Sequence, residues 1–155
     1  VVNYMPETEL KAGRAFTREL AKLRPPSGGR VVAKISPATA KSQLDSLAGQ
    51  IAGADAIVLA MYVRRVEGEG RTTVPPHVAA WIDSVAAGPR AIVVAFGNPY
   101  VIRQIPRTRT YVNTYGVGDP LEIAAARALA GAAPIGGKSP VSLPGFFRAG
   151  DGIQR

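Results

Sequence analysis

At 155 residues the chain is the size of one domain, and a composition of 46% hydrophobic and 19% charged residues suits a globular fold with a real core. The absence of cysteine excludes disulfides and thiolate metal sites, and the longest strictly apolar run, at 56–63, is eight residues, far short of a membrane span. The net charge of +8 arises from 19 Lys+Arg against 11 Asp+Glu, but these basic residues are scattered. No aromatics interleave with the two clusters, at 64–65 and 103–109, so a solvated basic surface is expected rather than a nucleic-acid partner or a membrane face.

Taken in chain order, short apolar runs alternate with helical patterns of period 3.6, the pattern of a βαβ-wound parallel sheet. Residues 1–5 read as a strand and 8–23 as a helix with Phe16, Leu20 and Leu23 on one face. A Pro-Pro-Ser-Gly-Gly turn at 25–29 precedes a second strand at 30–35. Ser36-Pro37 reads as an N-cap followed by proline, opening a helix whose stripe is Leu44, Leu47, Ala48 and Ile51. The continuous apolar run 56–63 predicts a central strand covered on both faces. Pro75-Pro76 starts a third helix carrying Val78, Trp81, Ile82 and Val85, and 91–96 is a further central strand. Residues 110–115 alternate and predict a strand nearer an edge. Asp119-Pro120-Leu121-Glu122 reads as a capping box for a last helix running to Gly131. A sixth short strand at 141–143, boxed by Pro140 and Pro144, and an extended tail at 145–155 complete the expectation. The fold class is therefore α/β: a three-layer αβα sandwich with a mainly parallel sheet of five or six strands, all in one domain spanning 1–155.

In such sheets ligands gather beyond the C-terminal strand ends. Of the loops there, 64–74 (RRVEGEGRTTV) is the longest, charged and broken by glycine, against the usual two to six residues or so of a βα loop. Its Arg64, Glu67, Glu69 and Arg71, with Asn98 after the fourth strand, are the candidate cleft-lining residues.

Several chemistries fail on spacing. The first βα turn has no glycine for a dinucleotide fingerprint. Gly137-Lys138-Ser139 resembles the end of a phosphate-binding loop, but Ala132 stands where its first glycine belongs and Pro140 where its helix should start. The lone histidine, His77, sits at a helix start where the dipole disfavours an imidazolium, and no G-x-S-x-G elbow is present, so a surface histidine is expected. Carboxylates that could hold Mg²⁺ at the strand ends are missing, and no pair of His, Asp or Glu at helical spacing has a third ligand nearby, so neither metal nor cofactor is expected. Glu67 and Glu69 could in principle supply the two carboxyls of a glycosidase, but Arg64, Arg65 and Arg71 would hold both ionised.

Five phrases, in this order and spacing, resemble family 3 glycoside hydrolases of the β-N-acetylhexosaminidase-like branch: ADAIVLA at 54–60, EGEG at 67–70, VVAFGNPY at 93–100, PIGGKSPVSLP at 134–144 and GDGIQR at 150–155. The resemblance covers most of the chain and implies the C-terminal α/β domain of such an enzyme. In that family an N-terminal barrel carries the aspartate nucleophile, and 155 residues cannot encode the 200 or so that a barrel needs. In the β-glucosidase branch the acid/base glutamate follows the strand corresponding to 56–63, which puts Glu69 near that position, although Arg71 stands where an aspartate is usual. In the hexosaminidase branch the proton donor is a histidine–aspartate pair on a barrel loop, leaving Glu69 a bystander. Glu69 is thus a weak catalytic candidate.

The chain begins at Val1 without an initiator Met and shows no leader pattern, which suggests a domain cut from a longer protein. The function expected is a non-catalytic accessory domain that supports the barrel and lines its sugar cleft. Its partners would be the barrel and a carbohydrate substrate, with self-association through the orphaned barrel-facing surface. The parent could be exported or periplasmic. The alternative is a stand-alone sugar- or partner-binding module without catalysis.

Overall fold

A computed structural model describes residues 1–7, 9, 11–25, 28–63 and 74–154. Five strands, β1 (Val2–Tyr4), β2 (Ala33–Ile35), β3 (Ile57–Val63), β4 (Ala91–Gly97) and β5 (Tyr111–Asn113), form one sheet in the order β2-β1-β3-β4-β5. Every pairing is parallel. The two seven-residue strands β3 and β4 pair along their whole length at the centre, where the longest apolar runs can be covered on both faces.

Four helices, α1 (Arg14–Leu23), α2 (Lys41–Ile51), α3 (Pro76–Ala86) and α4 (Asp119–Leu129), flank the sheet. Alternation along β3 sends Leu59, Met61 and Val63 into one core with Leu44 and Leu47 of α2 and Val78 and Ile82 of α3. Val58, Ala60 and Tyr62 enter the other core, with Phe16 and Leu20 of α1 and Ala125 and Ala126 of α4. The chain steps outward from β1 to β2 through α1, then back past β1 to β3 through α2. Right-handed crossovers place those two helices on opposite faces, as found.

Local chemistry moved several boundaries from their expected positions. The first helix starts at Arg14, not residue 8, because Gly13 has φ 81 and ends any helical path before it. A Cβ there would lie 2.7 Å from the Asn3 amide oxygen, so the position requires glycine. The second helix starts at Lys41: Ser36 instead makes a turn, its N–H donating to the Thr39 hydroxyl at 2.7 Å, and Gln43 caps Ala40 N–H at 3.0 Å. No sixth strand forms at 141–143. Flanked by two prolines that cannot donate, Leu143 makes only an isolated antiparallel bridge to Phe147 around a turn. The tail is not extended throughout: it turns again at Gly150 and bonds back onto Ser139, whose N–H donates to Asp151 at 2.7 Å and whose carbonyl accepts from Gly150 at 2.8 Å.

Candidate functional site

At the C-terminal edge of the sheet the structure builds two polar assemblies, one on the α1/α4 side and one beyond β4 and β5. The first centres on Glu122. Expected to complete a capping box on its own helix, it turns instead to α1: its two carboxylate oxygens accept from Gly13 N–H at 3.0 Å and Phe16 N–H at 2.9 Å. The α4 N-cap is Gly118, with no side-chain bond. Glu122 therefore caps a helix 106 residues away in sequence, and does so while only 2% exposed. A carboxylate at a helix N-terminus meets both the unpaired N–H groups and the positive end of the dipole, which offsets the cost of burying it.

Beside it lies Tyr62, the penultimate residue of β3. Its ring stacks on Phe96 with centroids 4.6 Å apart and an interplanar angle of 1°, and Phe16 meets Phe96 edge-on at 5.6 Å. The hydroxyl has no partner at hydrogen-bonding geometry among the described residues. Burial first, and then the negative charge of Glu122, push the Tyr62 pKa far above the ordinary tyrosine range, so the phenol stays neutral. A cavity of about 80 Å³ opens here, with Glu9, Tyr62, Gly118, Asp119 and Glu122 in its wall. That is well below the roughly 300–1,000 Å³ of sites that enclose small molecules.

The second assembly begins at Asn98. Gly97, at φ 104, brings the backbone so close to β3 that a Cβ would stand 2.9 Å from the Val63 carbonyl. Asn98 then donates its N–H to that carbonyl at 3.1 Å, and its side chain caps the 3₁₀ turn Pro99–Gln104 by accepting from Tyr100 N–H at 2.9 Å. The Pro99 carbonyl accepts from the Tyr111 hydroxyl at 3.0 Å, which in turn accepts from Asn113 Nδ2 at 3.3 Å. Burial pushes the Tyr111 phenol up as well. Asn113 Oδ1 takes the N–H of Tyr115 at 2.6 Å, and the Tyr115 hydroxyl donates to Ser139 Oγ at 2.7 Å. The polar chain thus runs from β4, across β5, to the GGKSP segment.

Of the residues named from sequence, Asn98 lies at this edge, as a capping residue. Arg64, Glu67, Glu69 and Arg71 lie outside the described residues. His77 is exposed and its Nε2 lies 3.0 Å from the Thr39 carbonyl, tying α3 to the loop before α2. Glu7, in the first loop, accepts from Ala38 N–H at 3.1 Å, and the Ser36 hydroxyl first of all holds its carboxyl below the usual range. Sequence reasoning missed Glu122, Tyr62 and Tyr115. A signal existed for Glu122: it stands at i−3 and i−4 from Ala125 and Ala126, on the helix face that meets the sheet. The local signal for Tyr115, whose φ is 56, was Asn113, whose side chain takes its N–H in an Asx turn; the tie to Ser139 lies 24 residues away.

No family model matches the chain. A Beta-N-acetylglucosaminidase/beta-glucosidase from Cellulomonas fimi is 40% identical over 65 residues, covering 42% of this chain and 11% of that protein. Among solved structures, a glycoside hydrolase family 3 beta-N-acetylglucosaminidase from Paenibacillus sp. str. FPU-7 matches 84% of this chain and 25% of its own, with TM-score 0.60 and 20% identity. The all-parallel sheet with flanking helices is therefore the fold of one quarter of that hydrolase. The likeness to family 3 glycoside hydrolases drawn from the sequence phrases stands at the level of a related domain.

Proposed function

We propose that this chain is the non-catalytic, C-terminal α/β domain of a family 3 glycoside hydrolase that removes terminal β-linked N-acetylhexosamine or glucose units. In this reading it buttresses a barrel that carries the nucleophile, and its C-terminal sheet edge walls one side of the sugar cleft. The observation that carries the proposal is the match of 84% of this chain to a quarter of a family 3 hydrolase, seconded by 40% identity over 65 residues to a protein named for the same activity. Among the described residues, the cavity of about 80 Å³ at the sheet edge is smaller than a site that encloses a pyranose, which supports this division of labour. In this reading the 155 residues, when studied apart from a barrel, would present the barrel-facing surface to solvent and self-associate weakly.

The test is an assay of the 155-residue chain on a chromogenic N-acetylglucosaminide, with the gene upstream of Val1 read in parallel. No turnover, together with an upstream barrel-length coding region, is the expected result. Turnover that survives purification and vanishes in Glu69→Gln would overturn the non-catalytic role.

A further inference from the structure

We propose that Tyr115 is a sugar-stacking residue, its ring fixed at the sheet edge beside Asn113 and Ser139 as a platform for the apolar face of a pyranose. The N-acetylhexosaminide class of that sugar rests on the function proposed above; the platform itself rests on geometry.

Three observations converge on this residue. Tyr115 is the non-glycine residue with positive φ among those described, a left-handed conformation that is unfavourable for a tyrosine. It is held there from both ends, by Asn113 Oδ1 on its N–H at 2.6 Å and by Ser139 Oγ on its hydroxyl at 2.7 Å. Ser139 is itself fixed, donating to the Val141 carbonyl at 2.7 Å and bonded through its backbone to Gly150 and Asp151. Yet 39% of Tyr115 remains exposed. Anchoring the polar tip holds the ring in one place while over a third of the residue stays open to solvent.

A tyrosine used only as a latch would cover its ring and relax its backbone. One that is immobilised yet partly open to solvent is preorganised for a ligand, because little side-chain entropy remains to be lost on binding. The negative face of the ring suits the C–H groups on one side of a pyranose. The Ser139 hydroxyl is committed to Tyr115 and Val141, whereas the adjoining Asn113 amide keeps one N–H beyond its bond to Tyr111 as a placed polar group that orients a sugar. Tyr100, 46% exposed on the turn joined to this network through Pro99 and Tyr111, adds a second aromatic to the same edge. Its ring has the Arg103 guanidinium 5.8 Å from the centroid.

The experiment is a backbone-amide NMR titration of the 155-residue chain with N,N′-diacetylchitobiose and, separately, cellobiose, on the native protein, Tyr115→Gly and Tyr115→Phe. Chitobiose should shift the amides of 113–116 and 139. Tyr115→Gly should weaken that binding about tenfold while the unfolding midpoint holds or rises, since glycine accepts the left-handed backbone. Tyr115→Phe keeps the ring and should stay within about threefold of native. Shifts at these amides with cellobiose alone would uphold the platform while removing the N-acetyl preference that the proposed function supplies. If neither sugar moves them, or if Tyr115→Gly binds as well as native, the platform is overturned and the residue only latches the 136–151 segment.

Discussion

On the α2/α3 face, alternate residues of β3 and β4 meet Leu44, Leu47, Ile51, Val78 and Ile82, a mostly aliphatic contact with no buried charge among the described residues. On the α1/α4 face, the intervening residues of the same strands meet a ring stack, Phe16–Phe96–Tyr62, with the buried carboxylate of Glu122 against it. The aliphatic part of the first face could exchange one side chain for another of similar volume at little cost, and its directional bonds lie at its edge, where Gln104 exchanges two hydrogen bonds with Val74 and Tyr111 donates to the Pro99 carbonyl. The second depends on direction throughout, since the rings fix one another's angle and Glu122 must reach two particular N–H groups. The two faces thus fix different parts of the functional edge: the α1/α4 face holds Glu122 and Tyr62, and the α2/α3 face seats the turn after Asn98 and Tyr111.

The sharpest way to break this contrast is Phe96→Ala. Phe96 is fully buried and touches both other rings, so its loss removes the apolar burial, leaves a cavity and abolishes two ring pairs worth about 0.5–1.5 kcal/mol each. Urea unfolding should show a loss of about 4–5 kcal/mol, against about 3 for Leu44→Ala on the opposite face. Equal losses would mean that the ring stack adds nothing beyond volume.

Next in size is Glu122→Ala, which leaves Gly13 and Phe16 with unsatisfied N–H groups at a helix start and removes the favourable charge from the α1 dipole. We expect a loss of about 3 kcal/mol. Glu122→Gln keeps one acceptor oxygen but turns an amide N–H₂ toward a donor, and should lose about half as much. Hydrogen exchange should localise the damage to the first turn of α1. Uniform loss of protection across α4 as well would show that Glu122 serves its own helix after all.

That outcome bears on what the sequence could and could not say. The run at 56–63, the alternation at 110–115 and the proline-led start of α3 were legible because each is a local pattern with a local cause. The start of α1 was not, since Glu122 is 109 residues from Gly13 and only the folded chain brings them together. A capping box on α4 was the natural reading of Asp119 to Glu122, and tertiary structure redirected the carboxylate. Ser36-Pro37 misled for the opposite reason: a side-chain turn through Thr39 competed successfully with helix initiation. Asn98 could be placed at the C-terminal edge because strand-end loops can be counted. Tyr115 was missed because its conformation depends on Asn113 and on Ser139, the latter 24 residues away.

High pH offers a milder probe of burial on both faces. Burial first, then Glu7, pushes the Tyr4 pKa from its ordinary 10.0 up to about 12, and Tyr62 and Tyr111 are also raised. Above pH 10 the unfolded chain releases phenolic protons that the folded chain keeps, so the unfolded state binds fewer protons and stability must fall as pH rises. The term is absent below pH 10 and grows until the pH passes the folded values, about 12 for Tyr4. Unfolding free energies measured from pH 8 to 12 should decline above 10, and Tyr4→Phe should flatten part of that decline. A profile unchanged by Tyr4→Phe would show that its phenol is solvated in the folded chain.

The smallest effect tests Tyr62 itself. Its hydroxyl is buried without a partner at bonding geometry, and an unpaired buried hydroxyl is a cost that its removal relieves. Tyr62→Phe keeps the stack on Phe96 and should therefore leave stability unchanged or raise it by up to about 1 kcal/mol at neutral pH. Because Glu122 then loses only a neighbour and none of its bonds to α1, amide protection in the first turn of α1 should stay as it is. A loss of 1 kcal/mol or more, accompanied by faster exchange at Gly13 and Phe16, would mean that the phenol donates to Glu122 and that the cap is a three-way network. The directional face would then be still more tightly specified, with the cavity beside Asp119 closed off by that bond.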